Sequence, residues 1–272
     1  EPGTSLVTYE AQMKDEALQG GASVGEGEAI PFTQFKVVES KREDIVVEKY
    51  AKSLSLESVS KWGATVAIEK TDDAFMVELQ NKVLKDFYTF LKTGTLKGTQ
   101  KKWQKALAIA KGAVLNKFAG MNRNVTDVVG FANVMDFYDC VGDKEITVQT
   151  MFGLQYIKDF FGFSTLFLLP DDYIPAKTVI ATPVENIDLY YIDPGDSDFK
   201  KLGLDYTTSG ETNLIGFHAG GNYTNATGET YAIMGMKLWA EYLDGVCVVT
   251  VGTTATLPEV SSAVSIASSN GK

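Results

Sequence analysis

An α+β fold is what the sequence predicts, and three observations predict it. Residues that favour extended backbone dominate positions 5–56, two later stretches (64–92 and 98–118) repeat apolar side chains at helical spacing, and from Ile146 onward short apolar runs alternate with turn residues. Together they read as a chain of both strands and helices.

The first block reads as a long β-hairpin. Residues 5–13 alternate, with Leu6, Thr8, Glu10 and Gln12 on one face and Val7, Tyr9, Ala11 and Met13 on the other. Residues 32–56 hold Val37, Val38, Ile45, Val46, Val47 and Tyr50, interleaved with Lys36, Glu39, Lys41, Arg42, Glu43, Asp44, Glu48, Lys49 and Lys52. A strand so charged cannot be buried on both faces. Between the runs lie residues 19–31, where Gly20, Gly21, Gly25 and Gly27 stand among small residues, Glu26, Glu28 and Pro31. That composition predicts a mobile turn. A two-stranded ribbon is marginal alone in water, so it is expected to rest on another subunit.

The helices come next. Phe75, Leu79, Val83, Phe87 and Leu91 form an i, i+4 stripe flanked by Met76, Leu84 and Phe90, and Gly94 follows as a stop signal. The start is open between Ala64 and Asp72, because Thr65, Val66 and Ile68 are β-branched and Asp72 has N-cap chemistry. A second helix is expected over 98–118 from Trp103, Leu107, Ala110, Val114 and Phe118. Residues 124–132 read as a buried strand (Val125, Val128, Val129, Phe131), and Asn133 caps a short helix that stops at Gly142. Beyond Ile146 the expectation is a helical turn over 153–162, strands over 165–169, 177–182 and 187–192, and a last strand over 246–251.

Composition narrows the function classes. A chain of 272 residues with 44% hydrophobic and 22% charged residues has material for one large or two small domains. Its strongest apolar run, 160–170, is broken by Gly162 and Ser164 and is about half of what crosses a bilayer, so no membrane partner is expected. The first residues, Glu1, Pro2 and Gly3, do not read as a secretory leader. Cys140 and Cys247 sit among apolar residues and are expected to be free and reduced. His218 is the sole histidine, which removes zinc sites built on several histidines, leaves one base for a triad, and beside Gly220 and Gly221 reads as a loop residue.

Charge is unevenly spread. Residues 99–123 carry Lys101, Lys102, Lys105, Lys111, Lys117 and Arg123 and no acid, a local +6, which leaves the remainder, with 19 cations against 35 acids, at −16. Such a cluster suits nucleic-acid contact, yet the helical spacing of its apolar residues makes the lysines the solvent side of a helix. The acidic remainder repels phosphate backbones. Asp193, Asp196 and Asp198 surround Pro194 and Gly195 without the spacing of a calcium loop, so turn chemistry explains them and no metal is expected. Glu26 and Glu28 lack the apolar surround that tunes a catalytic acid. The tip glycines lack the lysine and spacing of a phosphate cradle, so no cofactor is expected. The sequons at Asn124, Asn222 and Asn225 read as chance matches.

Several segments carry a resemblance. The order Gly25, Glu26, Gly27, Glu28, Ala29, Ile30, Pro31, then a long β-type run, then Ser60, Lys61, Trp62, Gly63 resembles the extended-loop hairpin of tailed-bacteriophage major capsid proteins, the shell-forming family with the Hong Kong 97 fold. So do residues 127–136, from Asp127 through Phe131 and Asn133 to Asp136, and residues 185–191 and 214–218. The similarity runs over nearly all of residues 3–252. It implies an extended hairpin (1–57), a peripheral domain with a long spine helix (58–98), an axial domain (99–190) and a return to the peripheral domain (191–252). The tail 253–272 has no counterpart and reads as a flexible end or the start of an appended domain, and the family's N-terminal arm has none in this sequence.

The resemblance further implies a non-enzymatic virion protein that assembles with itself into pentamers and hexamers in the host bacterial cytoplasm. The shell would enclose double-stranded DNA and meet portal, scaffold and decoration proteins. The hairpin tip (Gly20, Gly21, Gly25, Glu26, Gly27, Glu28, Pro31) would carry assembly, and Phe75, Leu79, Val83, Phe87 and Leu91 the spine-helix core. Two alternatives stand beside it: an encapsulin-like shell around protein cargo, and an acidic hydrolase or binding domain using His218. The family prototype's Lys–Asn cross-link is not expected, because residues 19–34 hold no lysine.

Overall fold

The computed structural model describes residues 4–14, 32–142, 148–151, 154–208 and 213–260. In chain order the elements are β1 (Ser5–Met13), β2 (Phe35–Asp44), β3 (Val47–Ser55), α1 (Leu56–Trp62), α2 (Ala64–Leu91), β4 (Leu96–Gln100) and α3 (Trp103–Gly120). There follow β5 (Val128–Asn133), α4 (Val134–Val141), β6 (Gln149–Met151), β7 (Leu154–Phe160), β8 (Phe163–Leu169), β9 (Thr178–Pro183) and β10 (Ile187–Tyr191). Last come α5 (Ser197–Lys201), β11 (Thr207–Thr208), β12 (Ile215–Asn222), β13 (Thr227–Ala240), a 3-10 turn at Leu243–Gly245, β14 (Cys247–Val251) and β15 (Thr256–Val260). The fold is α+β, as the sequence predicts.

Two compact units divide the chain: residues 1–67 with 190–237, and residues 68–189 with 238–272. In the first unit β1 and β2 form a two-stranded sheet of their own. Its other sheet runs β13-β12-β11, and β3 pairs antiparallel with residues 227–235 of β13. A small core of Ile192, Phe199 and Ile233, with Ile45, Val47 and Tyr206 against it, holds this sheet. Close packing here depends on Gly216, where a Cβ would lie 2.4 Å from Cβ of Pro194 and 3.0 Å from Cβ of Tyr206.

The second unit is built on an eight-stranded sheet in the order β15-β4-β14-β9-β5-β8-β7-β6. Alternation along its central strands sends successive side chains to opposite faces. Val179, Ala181, Cys247 and Val249 meet the apolar side of α3 (Leu107, Ala110, Val114, Phe118) in one cluster, while Ile180, Val246 and Val248 join Tyr88 and Leu91 of α2 in another. Coverage on both faces explains why every residue of β9 is buried. Alongside, Phe131 and Phe167 stack at 5.5 Å between ring centres, extending the second cluster across β5 and β8.

Several expectations from the sequence need correction. The helix expected over 98–118 begins at Trp103, and Leu96, Gly98 and Gln100 are instead the buried positions of β4. Parallel pairing with β14 (Cys247↔Leu96 to Val251↔Gln100) decides it, a contact between segments far apart in the chain. Of the helical turn expected over 153–162, the described residues 154–162 are strand and turn instead: β7 pairs with β8 up to Phe160↔Phe163, and Phe161 and Gly162 between them have φ of 51° and 78°. Positive φ at both central residues is the requirement of the tight type I′ hairpin turn.

The run 32–56 breaks at Ile45 and Val46 into β2 and β3, and ends in α1, a helix unforeseen in the sequence, where Ser55 Oγ accepts from the Ser58 amide at 3.3 Å. The strand expected from residue 124 starts at Val128. His218 lies inside β12, not in a loop. The tail is not wholly free, since residues 256–260 form β15. The spine helix takes the longer of its two readings, from Ala64. Among the described residues, no helix is long and apolar enough to cross a membrane.

Candidate assembly surfaces

The β1–β2 ribbon presents an exposed apolar surface. Its register runs from Ser5↔Asp44 to Met13↔Phe35 with a shift between Thr8 and Tyr9. Polar contacts fasten its two ends, where Ser5 Oγ donates to Asp44 Oδ1 at 2.6 Å and Lys14 Nζ to Gln34 Oε1 at 2.8 Å, and within β2 Arg42 pairs with Glu39 at 3.0 Å. The Arg42 guanidinium holds the Glu39 carboxyl below its ordinary range. Yet Tyr9, Phe32, Phe35 and Val37 are exposed by 69%, 86%, 58% and 67%. Among the described residues, large apolar groups thus stand exposed on a two-stranded ribbon, the kind of surface that suits a partner. The tip residues Gly20, Gly21, Gly25, Glu26, Gly27, Glu28 and Pro31 lie outside the described residues.

If that surface is covered in an assembly, the amides of Tyr9 and Val37 should exchange with solvent quickly in free subunits and slowly in particles. Equal protection in both states would sink the reading.

A second apolar surface belongs to the same unit. Leu54, Leu56, Val59, Tyr223 and Ala226 line a groove of about 390 Å³, with Tyr223, in the β12–β13 turn, almost fully exposed. Sequence reasoning missed it, because its residues come from α1 and from a turn about 170 positions away. The one available signal was Ser55 ahead of Leu56, Glu57 and Ser58, a helix start.

The spine-helix stripe is distributed as follows. Leu79 and Leu91 are buried, whereas Phe75, Val83 and Phe87 are half-buried. Tyr88, outside the stripe, is 4% exposed and packs at 5.2 Å, ring centre to ring centre, on both Phe87 and Tyr173. Burial pushes its hydroxyl well above the ordinary tyrosine range. Phe87 makes edge-on contact with Phe131 at 6.2 Å. Replacing Phe87 with Ala is therefore expected to cost about 3 kcal/mol, the low end for a buried Phe, read as an earlier unfolding midpoint of the subunit. An unchanged midpoint would mean the ring contributes nothing to the second unit.

The chemistry-bearing residues have ordinary structural partners. His218 Nδ1 lies 3.0 Å from the Asp205 carbonyl oxygen, and its ring is exposed. Asp193 accepts the Gly195 amide at 2.8 Å, and Asp196 caps α5 by accepting the Asp198 amide at 3.0 Å, which holds its carboxyl below the usual range. Burial pushes the Cys247 thiol up to about 12, so it stays protonated and unreactive. Of the basic segment, Lys117 pairs with Asp244 at 2.6 Å, Arg123 pairs with Glu241 at 3.2 Å and stacks over Tyr242, and Lys111 donates to the Gly162 carbonyl. Among the described residues, no group of three His, Cys, Asp or Glu side chains could hold a metal ion.

No protein-family model and no curated protein sequence matches the chain. Solved structures do match it. The capsid of Myoviridae phage XM1 superposes with a TM-score of 0.55 at 9% identity, covering 93% of this chain and 86% of the other. The capsid of cyanophage P-SCSP1u gives 0.54 at 8% identity, covering 93% and 84%. The holo-SrpI encapsulin complex from Synechococcus elongatus gives 0.51 at 10% identity, covering 91% and 85%. With its fold shared over nine-tenths of its length, the chain has the Hong Kong 97-type fold of phage capsid and encapsulin shells.

Proposed function

We propose that the protein is the major capsid protein of a tailed bacteriophage, assembling with itself into the pentamers and hexamers of an icosahedral shell around double-stranded DNA. One observation carries the reading most directly: a two-stranded ribbon whose aromatic and aliphatic side chains face solvent in the single chain. A neighbouring subunit supplies the missing surface, and the chemistry is assembly by surface complementarity, with no substrate. The division into hairpin, peripheral, axial and returning segments belongs to the same proposal, as do assembly in the host cytoplasm and contacts with portal, scaffold and decoration proteins. The net charge of −10 suits a container that holds DNA without adhering to it.

An encapsulin-like compartment is the second reading, favoured by the Synechococcus encapsulin match. Electron micrographs of the purified protein, with the particle contents analysed, test both. Shells containing DNA support the phage reading, shells containing protein cargo support the compartment, and a monomer that forms no particle overturns both.

The ribbon tip also predicts how such a shell is held. Residues 19–34 contain no lysine, and the flanking Lys14 and Lys36 lie outside the tip, so a nucleophile for an amide cross-link is absent from that segment. Boiled in detergent and run on a denaturing gel, mature particles should give a single monomer band. A ladder of covalent multimers would refute the argument.

A further inference from the structure

The last described strand covers an edge that the eight-stranded sheet would otherwise leave open. β4 is paired on its inner side with β14 and on its outer side with β15. The outer pairing is irregular: Thr256↔Thr99, Glu259↔Lys97 and Val260↔Leu96, with a register shift between Thr256 and Glu259. Side chains do part of the fastening. The Thr99 amide donates to Thr256 Oγ1 at 3.0 Å, and Gln100 Nε2 donates to the Thr256 carbonyl at 3.0 Å. Gly252, Thr253, Thr254 and Ala255 carry the chain over the end of β4, where the Gly252 amide donates to the Gln100 carbonyl at 2.8 Å.

Pro258 sits at the register shift, directly on Gly98. A Cβ at residue 98 would lie 2.9 Å from both Cγ and N of Pro258 and 3.0 Å from its Cα, so the close approach requires glycine. The strand contributes no residue to the two core clusters described above, and Leu257 and Val260 are 68% and 47% exposed. What it does contribute is closure. Without it, β4 would present its outward amides unpaired, a row of backbone donors and acceptors of the kind that pairs with another chain, with Lys97 its one charged residue. Pro258 has no amide to offer a further strand, so the cover does not create a new sticky edge of full length.

We propose that residues 256–260 are an edge guard, which occupies the pairing slot of β4 and prevents the β4 edge of one copy from pairing with the β4 edge of a second copy. Two β4 edges related by a two-fold axis would pair antiparallel and close as a dimer. The device keeps association confined to other surfaces and is independent of what the assembled protein encloses.

Two variants of the full chain's gene test it in unassembled subunits: Gly98→Ala, which pushes on the Pro258 backbone, and a stop after Gly252. Hydrogen exchange is followed at the Thr99 amide and at Lys97, two residues earlier on the same edge. In dilute Gly98→Ala subunits these amides should exchange at least about tenfold faster than in the parent, while the amides of β9 are unchanged. On concentration, sedimentation should show a dimer, and protection at Thr99 and Lys97 should return with it. If the shortened chain fails to fold, Gly98→Ala carries the test. Exposed β4 amides with no association at any concentration would overturn the proposal, and so would parental protection of Thr99 in Gly98→Ala.

Discussion

Replacing Phe137 with Ala is expected to lower the stability of the subunit by about 3–5 kcal/mol, the range for emptying a fully buried Phe site. Phe137 is 0% exposed and meets Trp103, Tyr138 and Phe160 edge-on, with ring centres 6.2, 5.3 and 5.6 Å away. These partners come from α3, α4 and β7, so the cavity would open where three elements join and where none can collapse inward alone. The denaturant midpoint should fall with an unchanged slope, the sign of lost stability rather than an altered unfolded state. Particle yield should fall with it, since a subunit that unfolds before it meets its neighbours is lost to assembly. A variant with the parental midpoint would show that α4 is not part of the core.

Replacing Asn133 with Ala is expected to cost about 2–4 kcal/mol, from a lost cap and a newly unpaired buried carbonyl. Asn133 is 0% exposed. Its Oδ1 accepts the Met135 and Asp136 amides at 2.8 and 3.4 Å, and its Nδ2 donates to Asp171 Oδ1 at 2.6 Å and to the Ile174 carbonyl at 2.9 Å. One side chain thus ties the start of α4 to the loop after β8. Asn133→Asp separates the two roles. The new carboxylate keeps the cap but faces the Asp171 carboxylate and the Ile174 carbonyl, so its folded pKa is raised above the ordinary value of about 3.9. The folded state then binds more protons than the unfolded one, and the deficit relative to the parent should shrink as pH falls through that raised pKa. A deficit independent of pH would mean that Asp171 does not face residue 133.

Asn133 also illustrates how far local chemistry reaches. A polar, short side chain between a β-type run and an amphipathic turn is an N-cap by its neighbours in sequence alone, and α4 obeys it. The body of the spine helix is legible for the same reason, since residues 75 to 91 repeat their apolar side chains every fourth position, whereas its start, among the β-branched residues before the stripe, stays open in the sequence. The ribbon is legible in its two alternating runs, each too charged to be buried on both faces. Local periodicity carries such elements because it reports, residue by residue, which side must leave water.

Other features depend on distant partners. Residues 96–100 have no strand signal strong enough to separate them from the helix that follows, and they become β4 because residues 247–251 lie alongside. Residues 154–160 become a strand because β8 pairs with them across a two-residue turn, although the segment holds few β-branched residues. The Thr256–Val260 strand rests on one absent side chain, the Cβ of Gly98, more than 150 positions away. The exposed groove around Tyr223 is likewise a product of packing, since exposure is decided by what covers a side chain. The sequence by itself therefore determined the two alternating runs of the ribbon, the apolar stripes of the two long helices and the cap at Asn133, where local period and polarity suffice. Tertiary structure alone decided the order of the eight-stranded sheet, its covered edge and the apolar surfaces left exposed, because pairing partners and burial are relations between residues far apart in the chain.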